Sequence, residues 1–210
     1  VLTRDPWAML AARTPARIGL GRAGASLPTR EVLRFALAHA RARDAVWASL
    51  DPDGLASALS DALAEGGGPG DGSQPAILSV ASASNSRSGY LLDPASGRRL
   101  SMAGRDLIAA QPGKPADVAI VVADGLSATA VMAHAPATVA ALVRHLRASG
   151  FGLAPLVIAT GARVALGDDI GQALGVGIVV MLIGERPGLS APDSLGAYVT
   201  HAPRPGRMDA

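Results

Sequence analysis

Three polar segments in this sequence each follow a short apolar run: Asp124-Gly125-Leu126-Ser127, Thr160-Gly161-Ala162-Arg163-Val164 and Gly184-Glu185-Arg186-Pro187-Gly188. If the runs are strands of an open α/β sheet, the segments form its carboxyl edge, where such sheets hold their ligands. The chemistry this offers is binding. A carboxylate there, such as Glu185, is placed to accept hydrogen bonds from a ligand; paired with Arg186 beside a Pro-Gly turn, it could equally be a solvated ion pair worth little. Asp124 and Ser127 are open to two readings, as ligand contacts or as caps of the helix that follows.

Other constellations point away from catalysis. Gly19-Leu20-Gly21-Arg22-Ala23-Gly24 matches the dinucleotide pattern G-x-G-x-x-G by letter. That pattern needs a strand before it and a helix N-terminus directly after it. Here Thr14-Pro15-Ala16-Arg17-Ile18 is a poor strand, and Ala25 to Pro28 intervene before the helix. The segment therefore reads as a turn that glycine permits. His39, His134, His145 and His201 are dispersed with no metal-ligand spacing, and His39 and His145 read as helix-surface residues. No G-x-S-x-G elbow follows a strand, so a nucleophilic serine has no support.

The elements that must position the three segments can be read from periodicity. Asp117 to Ala123, apolar from Val118 onward, and the wholly apolar Leu156 to Ala159 and Ile178 to Ile183 read as strands buried on both faces. Between them, Val139, Leu142, Val143 and Leu146 recur at helical spacing up to Gly150, and Asp168 to Leu174 forms a short helix stopped by Gly175. Ala76 to Val80 and Gly89 to Leu92 are predicted as two further short strands. Upstream, a helix is expected from Arg30 to Ser49 with Thr29 as its N-cap, burying Val32, Leu33, Ala36, Leu37 and Ala40. Leu55 to Ala64 gives a second helix. Trp47 reads as a core residue, although its arginine-rich helix is also a candidate surface for a partner. The fold class is α/β: a C-terminal Rossmann-like parallel sheet with helices on both faces, preceded by a small, mainly helical N-terminal region. Boundaries are expected at 1–65 for the helical region, 66–75 for a glycine-rich linker and 76–210 for the Rossmann-like domain.

Composition narrows the function classes. A 210-residue chain with 49% hydrophobic residues can bury a sizeable core. Net charge is only +2, aromatics are 3% and the arginines are scattered, so the footprint of a nucleic-acid surface is missing. There are no cysteines, which removes disulfides and thiolate metal sites and fits a reducing compartment. No apolar run approaches the ~20 residues needed to span a bilayer, and no secretory leader is expected. Val1 in place of Met is read as a trimmed start.

The segment Gly184-Glu185-Arg186-Pro187-Gly188-Leu189-Ser190, followed by Asp193-Ser194-Leu195-Gly196-Ala197-Tyr198, resembles a hallmark of ethanolamine ammonia-lyase small subunits. So do Thr14 to Ile18 with Gly21 to Gly24, His39 to Val46, Val121 to Ala128, and Pro203 to Arg207, so the resemblance covers essentially the whole chain. It implies a bacterial adenosylcobalamin enzyme that converts ethanolamine to acetaldehyde and ammonia, with the substrate held in the TIM barrel of a large catalytic subunit. This chain would be the accessory subunit of a hetero-oligomer, inactive alone, helping to hold the corrinoid. Matched residue by residue, the family's cobalamin contacts fall on Val164 and Glu185. A third, a cysteine expected soon after Arg207, lies beyond Ala210, so the sequence is expected to be cut short there with an incomplete cofactor site. No D-x-H-x-x-G segment is present, and the base-on mode of cobalamin binding is implied. The cytoplasm is the expected location, where the resemblance leaves enclosure in a bacterial microcompartment open. Two competing readings are a purely structural interaction subunit without cofactor contact and a stand-alone nucleotide-dependent enzyme.

Overall fold

The computed structural model describes residues 7–65, 74–84, 86–111 and 116–206. A short helix α1 (Ala8–Ala11) and a turn segment lead into two longer helices, α2 (Thr29–Trp47) and α3 (Pro52–Glu65). The α/β body follows: β1 (Ile77–Ala81), α4 (Arg87–Leu92), α5 (Met102–Ala109), β2 (Val118–Ala123), α6 (Ala128–Ala148), β3 (Leu156–Thr160), α7 (Leu166–Leu174), β4 (Ile178–Gly184) and β5 (Leu195–His201). The linker expected at 66–75 falls mostly outside the described residues.

The five strands form one sheet in the order β1-β3-β2-β4-β5. The first four run parallel, and β5 returns antiparallel along β4, pairing Met181 with Tyr198 and Gly184 with Leu195. The apolar runs are explained by this placement. All six residues of β2 are buried, because helices cover both faces of the sheet and neither face can be polar. On one face, Leu55 and Leu59 of α3 and Val131, Val139 and Val143 of α6 pack against Ile120, Val122, Ile158 and Leu182. On the other, Ile108 of α5 and Leu166 and Ile170 of α7 pack against Val121, Val157, Val179 and Met181. Helix α7 lies very close to the sheet at Gly171, where a methyl group would collide with Val179 and Pro203. No described helix is long and apolar enough to cross a membrane.

Four expectations need correction. Gly89 to Leu92 is helical, because the Ser86 hydroxyl accepts the Gly89 N–H at 3.0 Å and caps α4. Strand β5 went unread, and it makes the sheet mixed. At α2 the N-cap is Pro28, with no side-chain cap bond, and Thr29 is already helical. The face expected to be buried on that helix is largely outward: Val32, Leu33 and Leu37 are between 51% and 64% exposed, Ala36 is exposed and Ala40 half-buried, whereas Ala42 and Ala45 are buried and Trp47 is 58% exposed. Trp47 is therefore not a core residue.

Candidate functional site

From β2 the chain passes through α6 to β3 on one side, and from β3 through α7 back across to β4 on the other. Helices α6 and α7 cover opposite faces, so the loops after the neighbouring strands β2 and β3 leave the sheet in opposite directions. This topological switch point opens a crevice at the carboxyl ends of the strands. A cleft of about 410 Å³ lies there. Gly125 and Leu126 line it from the loop after β2, Arg163 and Val164 from the loop after β3, and Gly184, Glu185 and Arg186 from the end of β4. Tyr90 of α4 and Tyr198 of β5 complete the walls.

Glu185 is held at several atoms. Its N–H donates to the Ser194 carbonyl at 2.9 Å, and its Oε1 accepts the Tyr198 hydroxyl at 2.7 Å. That bond, made to a carboxylate, is the first cause holding the Tyr198 phenol above its ordinary pKa of 10.0. Gly196 lies under the carboxylate, and a Cβ there would collide with Oε1. Just before Glu185, the Gly184 carbonyl accepts the Leu126 N–H at 2.9 Å. A Cβ on Gly184 would run into the carbonyl oxygens of Asp124 and Ser127, so the β2 loop and the β4 end meet backbone to backbone. The loop beyond Glu185 is tied to the N-terminal segment: Arg17 donates to the Leu189 carbonyl at 3.1 Å, and Ser190 to the Pro15 carbonyl at 3.3 Å.

Asp124 turns inward, and a second cavity of about 270 Å³ reaches it beside Ser84, Ser86, Arg87 and Thr160. Its carboxylate accepts the N–H groups of Gly161 at 2.9 Å and Ala162 at 3.0 Å, fastening the β3 loop to the β2 loop. Burial raises its pKa above 3.8, opposed by those two amides and by the Arg87 guanidinium 3.7 Å away. Arg87 is shared. Its Nη1 donates to the Gly125 carbonyl at 2.6 Å, and its Nε and Nη2 donate to the Val46 carbonyl at 3.0 and 2.8 Å. The guanidinium also lies over the Tyr90 ring, 5.4 Å from its centroid. Tyr90, whose hydroxyl donates to the Ala162 carbonyl at 3.3 Å, has its pKa raised chiefly by burial. Ser127 is the N-cap of α6, its hydroxyl accepting the Ala130 N–H at 3.2 Å and donating to the Pro192 carbonyl at 3.0 Å.

These are the parts of a binding crevice. A family model described as ethanolamine ammonia-lyase light chain matches residues 4–210. The chain belongs to this family. An ethanolamine ammonia-lyase small subunit of Rhodopseudomonas palustris is 51% identical over 197 residues, covering 94% of this chain and 71% of that protein. Those of Bradyrhizobium diazoefficiens and Ralstonia nicotianae are 50% and 48% identical, covering 99% and 100% of this chain and 76% and 74% of theirs. A light chain, or small subunit, belongs with a larger partner subunit in an ammonia-lyase.

In this light chain the two residues singled out by resemblance, Val164 and Glu185, follow different strands, β3 and β4, and line one cleft. Asp124 and Ser127, each left with two readings, separate: Ser127 caps α6, and Asp124 braces two loops. The Gly19 to Gly24 segment is a tight turn. Gly19, Gly21 and Gly24 all have positive φ, and Ala23 and Ser26 exchange both backbone hydrogen bonds. Sequence reasoning did not find Arg87, Tyr90 or Tyr198. The first two belong to α4 and the last to β5, the two elements that were misread or missed. The serine cap three residues before Gly89 was the available signal for α4.

Proposed function

We propose that this chain is the accessory subunit that helps hold adenosylcobalamin in an ethanolamine ammonia-lyase, while a larger TIM-barrel subunit converts ethanolamine to acetaldehyde and ammonia. The observation that carries the reading is the meeting of Val164 and Glu185 in a single cleft at the switch point of the sheet. The residues present fit a corrinoid edge. Such a ring is rimmed by apolar carbon and primary amides; half-buried Val164 offers apolar surface, and the Glu185 carboxylate offers an acceptor for an amide N–H. The cleft is much smaller than a whole corrinoid, so this chain takes one edge and the partner covers the rest. When bound, the cofactor supplies the radical chemistry, and the protein binds, orients and shields it. Here Glu185 orients, Val164 packs, and the interlocked loops after β2 and β4 keep the floor fixed.

The outward face of α2 is the surface we assign to the large subunit. Large exposed apolar patches mark sites of association, and Val32, Leu33, Phe35, Leu37 and Trp47 supply one beside Arg30, Arg34, Arg41 and Arg43.

The test is Glu185→Ala in the assembled two-subunit complex, titrated with adenosylcobalamin through its visible absorbance. Losing a charge-assisted hydrogen bond should cost ~1 to 3 kcal/mol, or about five- to 150-fold in affinity. Unchanged affinity would leave only the purely structural role.

A further inference from the structure

Glu185 is useful to an amide only if its carboxylate stays in one orientation, and a glutamate side chain on a strand end has several rotamers to lose. Two residues of β5 remove that freedom. The Tyr198 hydroxyl donates to Oε1 at 2.7 Å, and Gly196, two residues earlier on the same strand, leaves the space in which that oxygen sits. Both follow from register: β5 runs antiparallel to β4, pairing Gly196 with Ile183 and Tyr198 with Met181, so alternate β5 residues lie beside the end of β4. With Oε1 engaged, Oε2 is left for a ligand. Tyr198 lines the same cleft and brings no charge of its own.

We infer that Tyr198 is a positioning residue and Gly196 a built-in vacancy, together fixing the Glu185 carboxylate so that its second oxygen addresses an amide donor of the corrinoid rim. The inference rests on the reading that Glu185 touches the cofactor. A Cβ at Gly196 would meet the end of the flexible Glu185 side chain and the edge of the Tyr198 ring, with no backbone atom among its nearest neighbours, so Gly196→Ala should move the carboxylate and leave the fold intact.

The experiment is a double-mutant cycle in the assembled complex, with adenosylcobalamin affinity measured in the absence of ethanolamine. Tyr198→Phe keeps the ring and should weaken binding about fivefold, as should Gly196→Ala. Neither should weaken it further once Glu185 is alanine. A spectroscopic readout accompanies the cycle: the phenolate band of Tyr198, isolated as the difference spectrum against Tyr198→Phe, should emerge at lower pH in Glu185→Gln. If Glu185→Ala loses affinity while Tyr198→Phe binds normally, the positioning role falls and the Glu185 contact stands. If the Tyr198→Phe loss persists undiminished beside Glu185→Ala, the phenol touches the ligand itself and positioning is overturned. If Glu185→Ala binds normally, the cofactor reading fails first and this inference goes with it.

Discussion

Strand β3 and the first half of helix α2 are written in similar apolar residues and end in opposite places. Leu156, Val157, Ile158 and Ala159 are at most 1% exposed, whereas Val32, Leu33, Phe35 and Leu37 are half exposed or more, within a few per cent. The strand has a neighbour on each edge, β1 and β2, and a helical layer over each face. Helix α2 meets the body in its last turns, at Ala42, Ala45 and the Val46 carbonyl, while in its first half Arg17 of the N-terminal segment lies over Phe35, 5.5 Å from the ring centroid. An apolar residue is buried by what surrounds it, and among the described residues nothing encloses this stretch of α2. The body encloses its core, and the helix presents apolar side chains outward.

The sharpest way to break this contrast is truncation on each side of it. Ile158→Ala should destabilise the chain by about 2 to 5 kcal/mol in urea unfolding, through the cavity it opens. Leu33→Ala should leave that midpoint within about 0.5 kcal/mol and should instead weaken association with the large subunit. An equal loss of stability from both would show that α2 is already buried in solution.

A smaller effect separates the regions by their spare room. Gly184→Ala must displace backbone carbonyls of the β2 loop and should cost about 3 kcal/mol. Gly24→Ala, where a Cβ meets nothing within 4 Å but φ is +62°, should cost only the left-handed strain, about 1 kcal/mol. The midpoints of the two unfolding curves decide it.

The smallest effect belongs to Asp124. Asparagine there can accept only one of the two amide bonds well, costing about 1 kcal/mol at neutral pH. Because burial raises the folded pKa of Asp124, the unfolded chain loses its proton first as pH rises. The contribution of this group is therefore full below the ordinary aspartate value of 3.8 and declines as pH climbs through the raised folded value. Asp124→Asn should flatten that part of the stability profile, and an unaltered slope would assign it to other groups.

The sheet was legible where physics leaves one reading. Runs such as Val118–Ala123 are too apolar for a half-solvated strand and too short for most helices. Strand β5 was not, because Leu195-Gly196-Ala197-Tyr198-Val199-Thr200-His201 lies at an edge, antiparallel, with an alternating partly buried pattern and a glycine near its start. Gly89-Tyr90-Leu91-Leu92 has strand-like composition, and a single serine hydroxyl made it a helix. The same division governs the site. Its floor follows from strand order and was expected, while Tyr198, Tyr90 and Arg87 reach it from elements whose placement only the tertiary structure supplies. The burial error at α2 has another origin: periodicity reveals an apolar face and is silent about whether its partner is in the same chain.

Arg87 joins the two regions, and its fork shape matters for how they move. A lysine ammonium has no planar fork, whereas one guanidinium presents donors in fixed directions and spans the carbonyl at the end of α2 and the carbonyl of Gly125 together. The two carbonyls thus ride on one rigid plate. The tip of α2 and the floor of the cleft are tied through one side chain, and a shift of the helix end has a direct route to Gly125.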